Sequence, residues 1–97
     1  MSVPRLAVVG AGYMGRLHAE KLAALQTEGA LQFVAVCDVD AARAGELAAR
    51  FGVEALGDHR ALAGRADAAL VAVPTVEHAR VAGDLLEAGL DVLVEKP

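Results

Sequence analysis

The sequence contains one cysteine and no long apolar run. Cys37 has no partner for an internal disulfide and lies inside an apolar segment, so we expect a buried thiol in a reducing compartment. No apolar run approaches the length of a membrane span, and the run at residues 6–9 is too short for a signal peptide. A net charge of -4 disfavours a polyanionic partner such as nucleic acid. We therefore expect a soluble cytoplasmic chain with neither a membrane nor a nucleic-acid partner.

What is present is an alternation of apolar runs with segments of helical periodicity. The 97 residues, 56% of them apolar, suffice for one domain with a single core. Asp40 is a plausible N-cap and Gly52 a C-terminal stop for the second helix, whereas Thr75 is predicted to cap the third. The predicted strands are residues 6–9, 31–37, 53–56, 68–73 and 91–94, the first helix runs from about 13 to 26, and a turn of helix is predicted at 58–63. The apolar stripe of the first helix is predicted to be Met14, Leu17, Leu22 and Leu25, and that of the third Val76, Ala79, Ala82, Leu85 and Leu86.

Continuous apolar strands that alternate with helices indicate an α/β fold with a parallel sheet and helices on both faces. Right-handed crossovers favour a Rossmann-type doubly wound sheet of five strands in the order 3-2-1-4-5. All carboxyl ends of the strands then lie on one edge, and ligands bind there at the switch point between strands 1 and 4. No internal repeat or low-complexity segment competes with this prediction.

A G-x-G-x-x-G pattern follows the first predicted strand. Gly10 permits a tight turn, Gly12 removes the side chain that would keep a phosphate from the backbone, and Gly15 allows close packing of helix and strand. Tyr13 and Met14 open the helix, whose unpaired N–H groups attract an anion. This stretch is predicted to bind the pyrophosphate of a dinucleotide.

Asp38 stands 23 residues after Gly15, at the end of the second predicted strand. A carboxylate there can accept hydrogen bonds from the adenosine ribose hydroxyls and would repel a 2′-phosphate, which favours NAD over NADP. The alternative is that Asp38 only caps a turn, although Asp40 is better placed for that.

The far end of the chain carries more specific motifs. Pro74 to His78 read P-T-V-E-H, Ala88-Gly89 follow, and Glu95-Lys96-Pro97 close the sequence. These motifs, together with the G-x-G-x-x-G-x-x-H opening that ends at His18, resemble the signatures of the glucose-fructose oxidoreductase, inositol dehydrogenase and rhizopine-catabolism (Gfo/Idh/MocA) family over essentially the whole chain.

The resemblance implies roles for several residues. It makes Lys96 the catalytic candidate, beside the nicotinamide and the substrate, with Glu95 and Pro97 shaping its turn. Pro74 and His78 would line the cofactor cleft with Thr75, although His78 could instead be a helix residue with no ligand. The remaining histidines, His18 and His59, are interpreted as a structural helix residue and as plain surface, and no metal ligand is predicted.

The resemblance also implies a larger second domain, which binds substrate and builds a homo-oligomer and which is absent from residues 1–97. We therefore expect the dinucleotide-binding domain of an NAD-dependent dehydrogenase that oxidises a secondary hydroxyl of a sugar, cyclitol or nucleotide-sugar, inactive without its second domain. The alternatives are a stand-alone NAD-binding module without catalysis and an inactive subunit of this family. The substrate itself and the direction of the reaction stay open.

Overall fold

The structure, a computed structural model, describes residues 3–94. The strands are β1 (Arg5–Val9), β2 (Gln32–Cys37), β3 (Glu54–Leu56), β4 (Ala68–Val71) and β5 (Asp91–Val94), and the helices are α1 (Tyr13–Thr27), α2 (Ala41–Phe51) and α3 (His78–Glu87). Short 3-10 turns lie at His59–Leu62 and Thr75–Glu77. All pairings are parallel, and the strand order is β3-β2-β1-β4-β5. The predicted fold class and strand order are confirmed.

The central strand β1 is buried on both faces of the sheet. Ala7 and Val9 belong to the core beneath α3, together with Val71 and Leu85. Val8, between them, points to the opposite core, which α1 and α2 cover. Because side chains alternate along a strand, helices on both faces require an unbroken apolar run rather than an alternating one.

Helix α2 begins and ends where its sequence predicts. Asp40 Oδ1 accepts hydrogen bonds from the N–H groups of Ala42 (3.0 Å) and Arg43 (3.1 Å). Gly52 follows the last turn with φ +68°, a left-handed conformation that costs glycine little. Both predicted caps are confirmed.

Helix α1 spans nearly the predicted residues but presents a different face to the sheet. Its buried residues are Gly15, His18, Ala19 and Leu22. Of the predicted stripe only Leu22 is fully buried, and Leu25 is 40% exposed. The face is rotated because Gly15, which has no side chain, is the residue that touches β1 and its turn.

The start of the third helix differs from the prediction. Residues Thr75–Glu77 form a 3-10 turn before α3 begins, and Thr75 does not cap the helix. A 3-10 turn has three residues per turn instead of 3.6, so a stripe counted from Thr75 at helical spacing loses its phase. Of the predicted stripe, Leu85 is buried, whereas Val76 is 91% exposed and Leu86 is 59% exposed. The other buried residue of α3 is Val81, which the predicted stripe left out.

Cys37 ends β2 with only 1% of its surface exposed. Burial, with smaller contributions from the carboxylates of Asp58, Glu54 and Asp38, raises the pKa of its thiol to about 12. The thiol is therefore neutral and unreactive in the folded chain at neutral pH.

We predict that native Cys37 reacts with a thiol reagent at pH 9 at least about a hundredfold more slowly than in the urea-unfolded chain. A raised pKa in the folded state means that the stability contribution of the protonated thiol is intact below its ordinary pKa of 9.0 and is lost as the pH rises toward 12. Stopped-flow absorbance with a disulfide reagent measures both rates, with Cys37→Ala as the blank. Equal rates in the two states would show that Cys37 is not buried.

Candidate functional site

The carboxyl ends of β1, β2 and β4 meet at one edge of the sheet, where the turns that follow them are hydrogen-bonded together. The N–H of Gly10 donates to the carbonyl of Cys37 (2.8 Å), and the N–H of Ala72 donates to the carbonyl of Val9 (2.7 Å). Two clefts open there, one of about 430 Å³ and a smaller one of about 80 Å³. The larger is lined by Ala11, Gly12, Tyr13, Arg16, Arg43, Glu46, Leu47 and Arg50. The smaller is lined by Val9, Gly10, Cys37, Asp38, Val39, Gly57, His59, Val73, Glu77, Arg80 and Val81.

Two of the three motif glycines are required by contacts within the protein. Gly10 has φ +107°, and a Cβ there would collide with the carbonyl oxygen of Ala72. A Cβ at Gly15 would collide with the carbonyl oxygen of Gly10. Substitution at either position must therefore displace backbone.

Gly12 is different because the protein leaves room for a side chain there. Its φ of -79° and ψ of -159° suit any residue, and the nearest atom to a Cβ would be Nη1 of Arg43, at 3.9 Å. Gly12 is also the N-cap of α1, and no side chain within residues 3–94 caps that helix. The turn therefore forms an open cradle at the N–H end of the helix, which a Cβ would fill and which suits a phosphate.

The Asp38 carboxylate is half-buried and bridges two turns. Its Oδ2 accepts from the N–H of Ala11 (2.8 Å), and its Oδ1 accepts from the N–H of Asp40 (2.8 Å). Asp38 thus joins the glycine turn to the start of α2, which is the capping role weighed above for this residue. Each carboxylate oxygen has further acceptor capacity, so the predicted contact with a ribose is compatible with these bonds.

The turn after β4 is held by His78. Its Nε2 donates to the carbonyl oxygen of Val73 (2.7 Å), which fixes the backbone just before Pro74 and Thr75. Because Val73 lines the smaller cleft, His78 shapes the wall of that cleft through the backbone. Whether His78 contacts a cofactor stays a prediction.

The interpretation of His59 as plain surface is wrong. Its side chain is 11% exposed, lines the smaller cleft, and places Nε2 2.8 Å from Oδ2 of Asp84 on α3. The two residues are 25 positions apart, and no local sequence pattern links them. His18 lies on the buried face of α1, in agreement with a structural role.

Sequence reasoning also missed the arginines of the larger cleft, Arg16, Arg43 and Arg50. One of them could have been found, because Arg43 lies in the first helical turn after Asp38 and an arginine in that neighbourhood can contact an adenosine phosphate.

The predicted site residues Glu95, Lys96 and Pro97 lie outside the described residues. Among residues 3–94, no three histidine, cysteine or carboxylate side chains come together as a metal site. Within the same range, no helix is both long and apolar enough to cross a membrane.

A parallel sheet of this order, with a G-x-G-x-x-G turn that opens onto an uncapped helix N-terminus, defines a Rossmann-type dinucleotide-binding domain. The chain belongs to the Gfo/Idh/MocA oxidoreductase family, because residues 4–97 match that family's NAD-binding Rossmann fold. The resemblance of its motifs to this family is confirmed.

Relatives of known name agree with this assignment. UDP-N-acetylglucosamine 3-dehydrogenase of Acidithiobacillus ferrooxidans is 39% identical over 93 residues, which are 96% of this chain and 28% of that protein. Its solved structure (GnnA) matches with a TM-score of 0.88 at 38% identity, over 100% of this chain and 31% of that one. An inositol 2-dehydrogenase of Rubrobacter xylanophilus is 41% identical over 92 residues, 93% of this chain and 26% of that protein.

A structure with bound cofactor is also similar. GenD2 from gentamicin A biosynthesis, in complex with NAD, matches with a TM-score of 0.85 at 35% identity, over 100% of this chain and 28% of that one. The chain therefore spans between a quarter and a third of the length of these relatives.

Replacement of Gly12 by valine is predicted to abolish NAD binding and to leave the fold intact, because the Cβ would make only an ordinary contact with Nη1 of Arg43, at 3.9 Å, but would fill the cradle. Titration calorimetry with NAD and a thermal melt measure the two effects. Gly83→Val is the control, since a Cβ at Gly83 on α3 meets no atom within 4 Å and Gly83 lies outside the glycine turn. A folded Gly12→Val variant that binds NAD as well as the parent would contradict the assignment of this turn as the phosphate site.

Proposed function

We propose that this chain is the NAD-binding domain of a dehydrogenase that oxidises a secondary hydroxyl of a sugar, cyclitol or nucleotide-sugar. The observation that carries the proposal is the open cradle over Gly12. At the other two glycines of the turn, the protein's own backbone occupies the space that a Cβ would take. Space reserved in this way, at the N-terminus of a helix, suits the pyrophosphate of a dinucleotide.

The edge of the sheet provides one contact region for each part of the cofactor. Gly12 and the first N–H groups of α1, at Tyr13 and Met14, would hold the pyrophosphate, and Asp38 would accept from the adenosine ribose. The turn fixed by His78, with Pro74 and Thr75, would lie toward the nicotinamide. NAD supplies the hydride acceptor, and the protein binds and orients it.

The substrate class is proposed from the relatives. Proteins at 39% and 41% identity are named for the oxidation of UDP-N-acetylglucosamine and of inositol. Because this chain spans so small a share of each relative, we propose that a second domain, continuous with residue 97, binds the substrate and forms a homo-oligomer. The test is an assay of the full-length gene product with NAD and a panel of UDP-N-acetylglucosamine, UDP-glucose, myo-inositol and scyllo-inositol. Absorbance at 340 nm should rise with one of them, and no rise with any would favour an NAD-binding module or an inactive subunit.

We predict that NAD binds at least about tenfold more tightly than NADP, a difference of about 1.4 kcal/mol, because the Asp38 carboxylate attracts ribose hydroxyls and repels a 2′-phosphate. Titration calorimetry of both dinucleotides measures the ratio. Asp38→Asn keeps the size of the side chain and removes its charge, so the ratio should fall. Equal or tighter binding of NADP by the parent would remove Asp38 from this role.

In the full-length enzyme, Lys96→Ala is predicted to lower kcat by about two orders of magnitude or more, the size of a lost acid-base or electrostatic contribution. The affinity for NAD should change much less, because the proposed role of Lys96 is in the chemistry. Steady-state kinetics and NAD titration separate the two effects, with Lys21→Ala on the exposed side of α1 as the control. A Lys96→Ala enzyme with near-normal kcat would overturn the assignment.

A further inference from the structure

His59 is set into the wall of the smaller cleft. It lines this cleft with only 11% of its side chain exposed. Two other polar residues of the cleft, Glu77 and Arg80, form an ion pair with each other at 42% and 59% exposure, so they are solvated and already bound. The ring of His59 therefore offers the cleft a hydrogen-bonding group that has little access to water.

Asp84 holds this ring from outside the cleft. Its Oδ2 lies 2.8 Å from Nε2 of His59, and Asp84 itself does not line the cleft. Because a carboxylate only accepts, the proton of the neutral ring lies on Nε2, and Nδ1 is left as an acceptor. Among residues 3–94, the hydrogen bond of the His59 ring is made at Nε2, so Nδ1 keeps its acceptor capacity for a ligand.

Asp38 indicates which cleft would take the base of a dinucleotide. In the proposed function Asp38 accepts from the adenosine ribose, and the base is bonded to that same ribose. Asp38 and the following Val39 line the smaller cleft and not the larger one. The smaller cleft also has apolar walls at Val73 and Val81, which suit the faces of an aromatic base, whereas three arginines line the larger cleft. The base is therefore expected beside His59.

The chemistry of adenine decides which of its groups can bond to an acceptor. Its ring nitrogens N1, N3 and N7 only accept, and the 6-amino group is the donor of the base. An acceptor in the wall of the cleft can therefore bond to the amino group and to no other polar group on the edge of the ring.

We propose that His59 accepts a hydrogen bond from the 6-amino group of adenine through Nδ1, and that Asp84 is a positioning residue that keeps the ring in this tautomer. The inference rests on the proposed dinucleotide function and deepens it. A 6-oxopurine would bring a carbonyl oxygen toward Nδ1, and two facing acceptors cannot bond to each other. The domain should therefore select a 6-aminopurine dinucleotide, and part of the selection should come from a residue of α3 that does not touch the cofactor.

The experiment measures the dissociation constants of NAD and of nicotinamide hypoxanthine dinucleotide, its 6-oxo analogue, by titration calorimetry at pH 8.5. The parent chain should bind NAD about fivefold more tightly or better, the effect of one lost hydrogen bond and an unpaired acceptor. In Asp84→Ala the ratio should fall to about twofold or less, because the ring can then turn and change tautomer. His59→Phe keeps a ring without an acceptor and should lower the ratio in the same way.

The control for charge is Asp91→Ala. Asp91 is exposed and lines neither cleft, so its loss removes the same charge and should leave the ratio unchanged. A thermal melt shows that each variant is folded. A variant that merely loosens α3 binds both dinucleotides more weakly at an unchanged ratio, so an unchanged ratio in Asp84→Ala would overturn the positioning role.

A second probe removes the amino group without adding an oxygen. Purine riboside 5′-monophosphate should bind the parent chain more weakly than adenosine 5′-monophosphate does, and this difference should shrink in Asp84→Ala. Equal affinities of the parent for the two dinucleotides, or tighter binding of the 6-oxo analogue, would overturn the inference and leave the proposed function standing. A parent chain that binds neither dinucleotide would overturn the proposed function as well.

Discussion

The contact between Gly15 and the carbonyl oxygen of Gly10 determines where helix α1 lies on the sheet. No side chain fits between them, so the first turn of the helix rests directly on the backbone that follows β1. This contact turns His18 and Leu22 inward and brings the N-terminus of α1 to the edge where three strands end. Gly10 also packs directly against the backbone carbonyl of Ala72, so the ends of β1 and β4 are fixed together. The open cradle over Gly12 is thus a consequence of backbone packing.

The three glycines of the motif are present for two different reasons. Gly10 and Gly15 are needed because backbone atoms occupy the space of a Cβ, and Gly12 is the glycine of the motif whose Cβ would meet nothing closer than 3.9 Å. A glycine that the fold does not require lowers the stability of the protein, because it gives the unfolded chain conformational freedom that folding must remove. In the proposed function, its presence at the N-terminus of an uncapped helix is explained by a pyrophosphate that lies against the backbone.

Local patterns predicted most of the fold, and contacts between distant residues account for what they missed. Asp40 and Gly52 act through hydrogen bonds and dihedral angles of their own segment, so the bounds of α2 follow from its sequence. The apolar face of α3 followed only in part: Leu85 is buried as predicted, but Val76 is exposed because it lies in the 3-10 turn that precedes the helix. The pairing of His59 with Asp84 depends on how α3 packs against the sheet. The glycines and Asp38 of the candidate site were visible as a motif, whereas the grouping of Arg16 and Arg50 in one cleft depends on how α1 and α2 lie beside each other.

Asp38 has two roles, one in the proposed binding of the cofactor and one in holding the turns of the sheet edge together. In the proposed function this carboxylate selects the cofactor, yet it also holds the N–H groups of Ala11 and Asp40 at 2.8 Å each. Its removal would leave the buried N–H of Ala11 without its acceptor, at a cost of about 1 kcal/mol or more, whereas the exposed N–H of Asp40 could bond to water instead. Arg43, at the first turn of α2, is exposed and joined to the fold by one long ion pair, so its replacement does not loosen the turn. In the proposed function, a change of cofactor preference made at Asp38 therefore also loosens the glycine turn.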